Sequence, residues 1–251
     1  MTRNSHRFVA AILAVAFGNS SIQAADLSGK FVYGAPAPAA AKLNIDKDVE
    51  AFGNLGLVDE TLVVAPDGGI ANVVVYVRTD GVAVTPEAEK AAAPKVEYDN
   101  KGGRFQPRIL PVWVGKQTLV IKNSDPVGHN SNLQPLGDTP INPLLTPNST
   151  VEHQFGRKQN LPQPVGCNIH PWMKGFILPR DNPYAIVSGA DGKFDLKNLP
   201  AGTELEFQVW HEKAGYLAAK PEWEKGRFTM TLKDGANDLG EIKVDPALFN
   251  K

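Results

Sequence analysis

Residues 108–122 read Arg-Ile-Leu-Pro-Val-Trp-Val-Gly-Lys-Gln-Thr-Leu-Val-Ile-Lys. Apolar, mostly β-branched or aromatic residues stand on both sides of Gly115-Lys116, and such residues favour strands. A two-residue connection that contains glycine fits a tight turn, so the stretch predicts an antiparallel hairpin. Similar short runs separated by turn residues recur along the chain and predict an all-β sandwich. The clearest of them are 29–33, 73–77, 151–155, 175–179, 193–196, 204–210, 227–232 and 240–244.

The composition agrees with a turn-rich globular protein. The chain has 251 residues, of which 23 are glycine and 20 proline, and 42% are hydrophobic and 21% charged. These values exclude a long helical bundle and a chain that is disordered throughout. The net charge of −1 gives no reason to expect binding to nucleic-acid phosphates.

The N-terminus has the three-part layout of a secretory signal peptide. Arg3, His6 and Arg7 precede an apolar run over 8–17, and small residues lead to Ala24-Ala25. The run is about half of the ~20 residues that span a bilayer, so we expect residues 1–24 to be removed and no membrane span to remain. The mature protein is then periplasmic or secreted, with a net charge of −3.

Export makes the lone cysteine, Cys167, informative. Structural cysteines of exported proteins are paired, so a single one indicates an intermolecular disulfide, a reactive thiol or a metal ligand. It stands in the segment Cys167-Asn-Ile-His170-Pro-Trp-Met173, and His129 follows the strand predicted at 117–122. One thiolate, two imidazoles and one thioether are the ligand set of a blue-copper centre, which serves Cu(I) and Cu(II) with little rearrangement.

Other uses of these residues fit less well. Zinc seldom takes a thioether, and the loop has no carboxylate. A Cys/His hydrolase needs an oxyanion-stabilising feature and a third orienting residue, and neither can be identified in the sequence. His153, on a predicted half-buried strand, remains a possible further ligand, whereas His211 is better explained as the end of a strand.

The residues around His129-Asn130 and Cys167-x2-His170-Pro171-x-Met173 resemble the small cupredoxins, and among them the amicyanin-like proteins of methylamine-utilisation type. The resemblance covers about residues 73–178. It implies a Greek-key β-sandwich with one type-1 copper site at one end, bound by His129, Cys167, His170 and Met173. It also implies that Asn130 joins the two ligand loops by hydrogen bonds.

The same resemblance implies a function as a carrier of single electrons rather than a catalyst. Electrons would pass through an exposed edge of His170, with Pro171 and Trp172 as an apolar docking rim. The partner would be a periplasmic redox protein such as a cytochrome or a dehydrogenase. Asn168 stands in the ligand loop where the family more often has Ser, Thr or Pro, and Pro162 and Pro164 precede Cys167 where prolines are not expected in a central strand.

Four regions follow along the chain. After the signal peptide, residues 25–55 form a Pro/Ala-rich extension with one short strand, and residues 56–182 form the cupredoxin-like copper domain. Residues 183–251 are similar to the carboxypeptidase-regulatory-like β-sandwich module, on the segment 188–211 with its Leu-Pro-x-Gly corner. Two other functions stay open from the sequence, namely copper storage or delivery, and a structural β-sandwich module without redox turnover.

Overall fold

The computed structural model describes residues 23–250, and the predicted signal peptide lies outside the described residues except for its last two positions. The regular structure of the described residues is mostly β-strand, with two short α-helices, α1 (Val49–Phe52) and α2 (Pro86–Ala91), and two 3-10 turns at Glu224–Gly226 and Pro246–Phe249. The strands are β1 (Ala24–Tyr33), β2 (Val74–Val77), β3 (Lys95–Asn100), β4 (Phe105–Gln106), β5 (Ile109–Trp113), β6 (Thr118–Asn123), β7 (His129–Asn130), β8 (Asn132–Leu133), β9 (Leu144–Leu145), β10 (Thr150–His153), β11 (Gln163–Gly166), β12 (Lys174–Arg180), β13 (Ala185–Val187), β14 (Lys193–Pro200), β15 (Glu204–His211), β16 (Gly215–Tyr216), β17 (Arg227–Thr231) and β18 (Gly235–Val244).

These strands form two stacked sandwiches, which confirms the predicted all-β class. The first sandwich packs the sheet β10-β6-β3-β4 on the sheet β5-β12-β11-β8. The second packs β14-β1-β18 on a sheet that contains β13, β2, β15, β16 and β17. Each pair of sheets encloses its own apolar core, and Cys167 and Met173 lie in the core of the first.

Strand β2 shows why the two sandwiches stay together. All four of its residues are buried, because Val75 and Val77 face the second core while Val74 and Tyr76 face the first sandwich. A strand covered on both faces reads as a continuous apolar run. Phe176 of β12 meets Trp210 of β15 in this contact, with ring centroids 5.0 Å apart. The run 73–77 therefore pairs with the C-terminal strands β13 and β15 rather than with the strands that carry the predicted ligands.

The predicted hairpin at 108–122 is wrong. Strand β5 pairs in parallel with β12, whereas β6 pairs with β3 and β10 in the opposite sheet, so the Gly115-Lys116 turn carries the chain from one sheet to the other. Pro111 explains part of this difference. It has no N–H to donate, and β5 accordingly lies at the edge of its sheet with one partner.

The prolines before Cys167 do not prevent a strand. Residues 163–166 form β11, which lies between β12 and β8. Pro164 is aligned with β12 only, because β8 is short and reaches no further than Val165 and Gly166. Proline is thus tolerated at a position of β11 that has a strand neighbour on one side only. The segment that leads directly into Cys167 is therefore fixed in a sheet.

The N-terminal extension links the two sandwiches. Its strand β1 lies between β14 and β18 in the second sandwich, and the chain then crosses to the metal-site end of the first. Lys42 and Val58 form a bridge there, next to hydrogen bonds from Leu43 N–H to Leu57 O and from Asp59 N–H to Ala41 O. Residues 44–56, with helix α1, are therefore held at both ends. Among residues 23–250, no helix has the length and apolar character to cross a bilayer.

Candidate metal centre

The loop between β11 and β12 carries three of the predicted ligands. Cys167 directly follows β11 and Met173 directly precedes β12. The loop is closed by a hydrogen bond of 3.3 Å from Cys167 N–H to Met173 O and one of 2.9 Å from Met173 N–H to His170 O. These bonds make a compact turn, so the side chains of Cys167 and His170 are presented from one short segment.

The fourth predicted ligand, His129, comes from another part of the first sandwich. It lies on β7, after the turn that follows β6. Asn123 holds that turn, since its side-chain N–H donates to Val127 O at 2.8 Å and to Leu145 O at 3.0 Å. The site is therefore built from two loops that the sheets bring to the same end of the sandwich.

Three donor atoms converge at this end. The Cys167 Sγ atom lies 3.8 Å from His129 Nδ1 and 3.7 Å from His170 Nδ1, and the two Nδ1 atoms are 3.0 Å apart. His129 and His170 are fully buried, and Cys167 is 3% exposed. In zinc sites, for example, nitrogen and sulfur donors lie roughly 2.0–2.3 Å from the ion. Three donor atoms that are 3.0–3.8 Å apart can therefore contact one metal ion together.

The outer nitrogen of each imidazole is bonded to a carboxylate. His129 Nε2 lies 3.0 Å from Asp125 Oδ2, and His170 Nε2 lies 2.7 Å from Asp48 Oδ2. Each Nε2–H therefore donates outward, and the two Nδ1 atoms face each other. Two facing lone pairs 3.0 Å apart repel each other unless a proton or a cation lies between them. The donor set thus fits a bound metal ion, and two imidazoles with one thiolate are the planar ligands of a type-1 copper site.

The electrostatics of the pair Cys167–His129 favour the charged forms. Burial raises the pKa of the Cys167 thiol, but hydrogen bonds from His129 and from loop N–H groups outweigh it and lower the pKa to about 6. Burial lowers the pKa of His129, but its contacts with Asp125 and Cys167 raise the pKa to about 9. At neutral pH the metal-free site holds a thiolate, which is the form that binds metal.

Asp125 is itself held in its charged form. Its carboxylate accepts hydrogen bonds from Gly102 N–H and, at 2.9 Å, from Gly103 N–H. Burial raises the pKa of Asp125, but the bonds from His129 and the two glycines hold it below its usual value. Both glycines have a left-handed backbone, with φ of 63° and 65°, which is the conformation that turns their N–H groups toward the carboxylate.

Asn130 connects the two ligand loops. Its side-chain oxygen accepts a hydrogen bond of 2.7 Å from Asn168 N–H and lies 3.4 Å from Cys167 Sγ. Asn168 takes part through its backbone, while its side chain forms only a long contact of 3.4 Å with Asn132. Met173 is 1% exposed and lies in the same core as Cys167.

The expectation that His170 has an exposed edge is wrong. His170 is fully buried, because Asp48 and the ring of Phe52 cover its outer side. Phe52 lies 5.2 Å from the His170 ring and 6.1 Å from the Trp172 ring. Trp172 is half-buried and donates its indole N–H to Gly103 O at 3.3 Å, while Pro171 is exposed.

The remaining histidines of interest lie elsewhere. His153 packs edge-on against Phe155, with ring centroids 4.7 Å apart, and does not belong to the cluster of three donors. His211 ends β15 and is buried, and its Nδ1 accepts the Lys213 N–H at 3.2 Å. Burial lowers the pKa of His211 to about 4, so it is neutral at physiological pH.

Sequence reasoning missed three residues that shape the site, Asp48, Phe52 and Asp125. Asp125 gave a weak signal, since it stands four residues before His129 in the same turn. Asp48 and Phe52 gave none, because they lie in the extension, more than 70 residues before His129. Their role depends on how the extension returns to the first sandwich.

Comparisons with known proteins give similarity over less than half of the chain. No protein-family model and no curated protein matches. A copper-containing nitrite reductase from Thermus scotoductus SA-01 is 24% identical over 42% of this chain, with a TM-score of 0.31. A point mutant of amicyanin in its reduced Cu(I) form is 19% identical over 42% of this chain and 98% of its own, also with a TM-score of 0.31. A purple cupredoxin from Nitrosopumilus maritimus is 24% identical over 35% of this chain and all of its own, with a TM-score of 0.28.

The nitrite reductase corrects one expectation. The matched part of this chain spans 25% of that enzyme's length. An enzyme therefore stands among the similar structures, together with amicyanin and a cupredoxin. The prediction that the chain is an electron carrier and not a catalyst is contradicted, because it excluded an enzymatic function.

Proposed function

We propose that this chain is an exported copper protein that exchanges single electrons through Cu(I) and Cu(II). His129 and His170 would hold the copper through Nδ1, Cys167 through its thiolate and Met173 through its thioether. The observation that carries the proposal is the buried group of three donors, 3.0–3.8 Å apart, in which each imidazole is fixed by a carboxylate.

The chain's own residues supply a rigid and water-poor site. When bound, copper supplies a one-electron couple at this position, and soft sulfur with imidazole nitrogen suits both of its oxidation states. The closed loop 167–173, the Asn130 bond and the two carboxylates fix the donors before a metal arrives. Fixed donors reduce the rearrangement that accompanies a change of oxidation state.

The setting of this function follows from the sequence. The layout of residues 1–24 supports export to the periplasm or beyond. The partner is then a periplasmic redox protein such as a cytochrome or a dehydrogenase, and the docking rim is formed by Pro171 and Trp172. The similarity of the ligand loop to the amicyanin-like proteins supports this class of partner.

The test is a titration of the purified mature chain with Cu(II), followed by metal analysis and a visible spectrum. We expect one copper per chain, an intense visible absorption from the thiolate–copper bond, and reversible loss of colour on reduction. A weakly coloured complex that ascorbate does not reduce would rule out the type-1 assignment.

A second function, copper storage or delivery, is favoured by one observation. The side of His170 that would serve outer-sphere electron exchange is covered by Asp48 and Phe52. A storage protein would keep Cu(I) tightly and exchange electrons slowly. Measurement of the electron self-exchange rate separates the two functions, since a carrier exchanges rapidly and a store does not.

A further inference from the structure

We propose that residues 44–56 form a built-in cap over the His170 side of the metal centre. In this cap Asp48 is a positioning residue that fixes His170, and Phe52 excludes water from the ligand rings. The inference rests on the proposed metal site. It adds that metal and small reagents reach the site on this side only when the cap opens.

The first support is the conformation of Asp48. It occupies the position before helix α1, where an aspartate usually accepts a hydrogen bond from the first turn of its own helix. Here the side chain makes no such bond, and the carboxylate instead lies 2.7 Å from His170 Nε2, 122 residues away in the chain. The backbone of Asp48 is left-handed, with φ of 45°, which is uncommon outside glycine. Asp48 therefore keeps a strained backbone conformation without the usual hydrogen bond to its own helix, which requires a stabilising contact elsewhere. That contact is with His170.

The second support is the packing of Phe52. The ring is 1% exposed and contacts both ligand imidazoles, with centroids 5.9 Å from His129 and 5.2 Å from His170. It also rests on Gly103, where an added Cβ would lie 3.1 Å from the ring. Phe52 thus fills the space between the ligand rings and the turn that holds Asp125.

The third support is the anchoring of the cap. Residues 41–43 and 57–59 are joined by backbone hydrogen bonds, and Leu57, at the end of the cap, is 3% exposed. Residues 44–56 are therefore a closed excursion whose two ends stay together when its middle moves. Val49, on the outer side of α1, is 54% exposed, so the outer face of the helix is in solvent.

The consequence is a site with a carboxylate behind each imidazole. Asp125 and Asp48 place negative charge behind His129 and His170, which strengthens both nitrogens as donors and favours Cu(II) over Cu(I). Asp125 belongs to the ligand's own turn, but Asp48 belongs to the cap. The state of the cap therefore controls both access to the site and the charge beside His170.

The first test uses the metal-free mature chain and its single thiol. At pH 8, Cys167 is labelled with DTNB, and the rate is compared among the wild type, Asp48→Ala, Asp48→Asn and Glu50→Gln. Glu50→Gln is the matched control, since it removes one negative charge from the same helix without a contact to His170. We expect about tenfold faster labelling in Asp48→Ala, because loss of one hydrogen bond lets the cap open more often. Asp48→Asn should label only slightly faster, because its amide oxygen still accepts the His170 N–H.

The second test uses the copper-loaded chain. Asp48→Ala and Asp48→Asn should both raise the potential, and a tenfold gain in preference for Cu(I) corresponds to about 59 mV for one electron. A Cu(I) chelator should remove the metal about tenfold faster from Asp48→Ala. Phe52→Leu, which preserves the apolar character of the cap, should accelerate both labelling and removal with a smaller effect on the potential.

The outcomes separate this inference from the proposed function. Equal labelling rates and equal potentials for Asp48→Ala and Glu50→Gln would overturn the cap. If the wild type binds no copper, the proposed function fails, while thiol labelling still decides whether Asp48 closes the site. Circular dichroism on each variant confirms that the fold is intact.

Discussion

The side-chain oxygen of Asn130 lies 2.7 Å from the backbone nitrogen of Asn168 and accepts its hydrogen. This bond joins β7, which carries His129, to the loop that carries Cys167 and His170. Asn130 is 6% exposed, whereas Asn168 lies at the surface, so the bond ties the surface of the ligand loop to a buried side chain. The relative position of the two ligand loops depends on it.

Replacement of Asn130 by Ala should therefore loosen the site. We expect a loss of about 0.5–1.5 kcal/mol in the free energy of unfolding, because the part-buried hydrogen bond from Asn168 N–H to Asn130 is removed. Asn168→Ala is the matched control and should have little effect, since its backbone supplies the bond. Urea denaturation of both variants measures the difference, and equal stabilities would contradict the role of Asn130.

Cys167 and Met173 should contribute differently to a copper site. Cys167→Ser should abolish the intense visible absorption, because that band needs the thiolate. Met173→Leu should keep the colour and change the potential, because an axial thioether tunes the site without holding the metal. Visible spectra with voltammetry test both, and a colourless Met173→Leu protein would show that the thioether is needed to retain copper.

Copper binding should release protons in a pH-dependent way. Between the pKa of Cys167, about 6, and that of His129, about 9, the metal-free pair is a thiolate with an imidazolium. Copper displaces the imidazolium proton in this range, so binding should release about one proton from the pair. Below pH 6 the thiol proton is displaced as well, and above pH 9 the pair releases none. Affinity should therefore rise with pH up to about 9.

Calorimetry in buffers of different ionisation enthalpy measures this release. Asp125→Asn should reduce it at pH 8.5, because the contact with Asp125 is the largest effect that raises the pKa of His129. Equal release at pH 7.5 and pH 10 in the wild type would contradict the assignment of the raised pKa.

Gly175 on β12 should not tolerate a side chain. A Cβ atom there would lie 2.1 Å from the Tyr98 hydroxyl oxygen and 2.8 Å from Arg108 O. Gly175→Ala should cost about 1–3 kcal/mol, as expected for overpacking in a core. Gly166→Ala, on the neighbouring strand β11 with nothing within 4 Å of the added atom, should be close to neutral. Thermal melts of both variants test this, and similar melting temperatures would show that Tyr98 moves aside.

The all-β class and the donor types were accessible from the sequence because both are local. Alternating or continuous apolar runs such as 117–122 predict strands from a few residues. Cys167, His170 and Met173 stand within one loop, and the signal-peptide layout of the N-terminal sequence makes a lone cysteine informative. The strand partners were not accessible in this way, since β5 and β6 look like a hairpin and pair in different sheets.

The sequence by itself determined that this is an all-β chain with thiolate, imidazole and thioether groups in one loop and a further imidazole after a strand. Only the tertiary structure decided that His170 is buried, that Asp48 and Asp125 stand behind the two imidazoles, and that Phe52 closes the site. The physical reason is that strand propensity and ligand chemistry belong to single residues and short segments. The burial of His170 depends on the return of the extension across two sandwiches, and that path is fixed by sheet order and core packing.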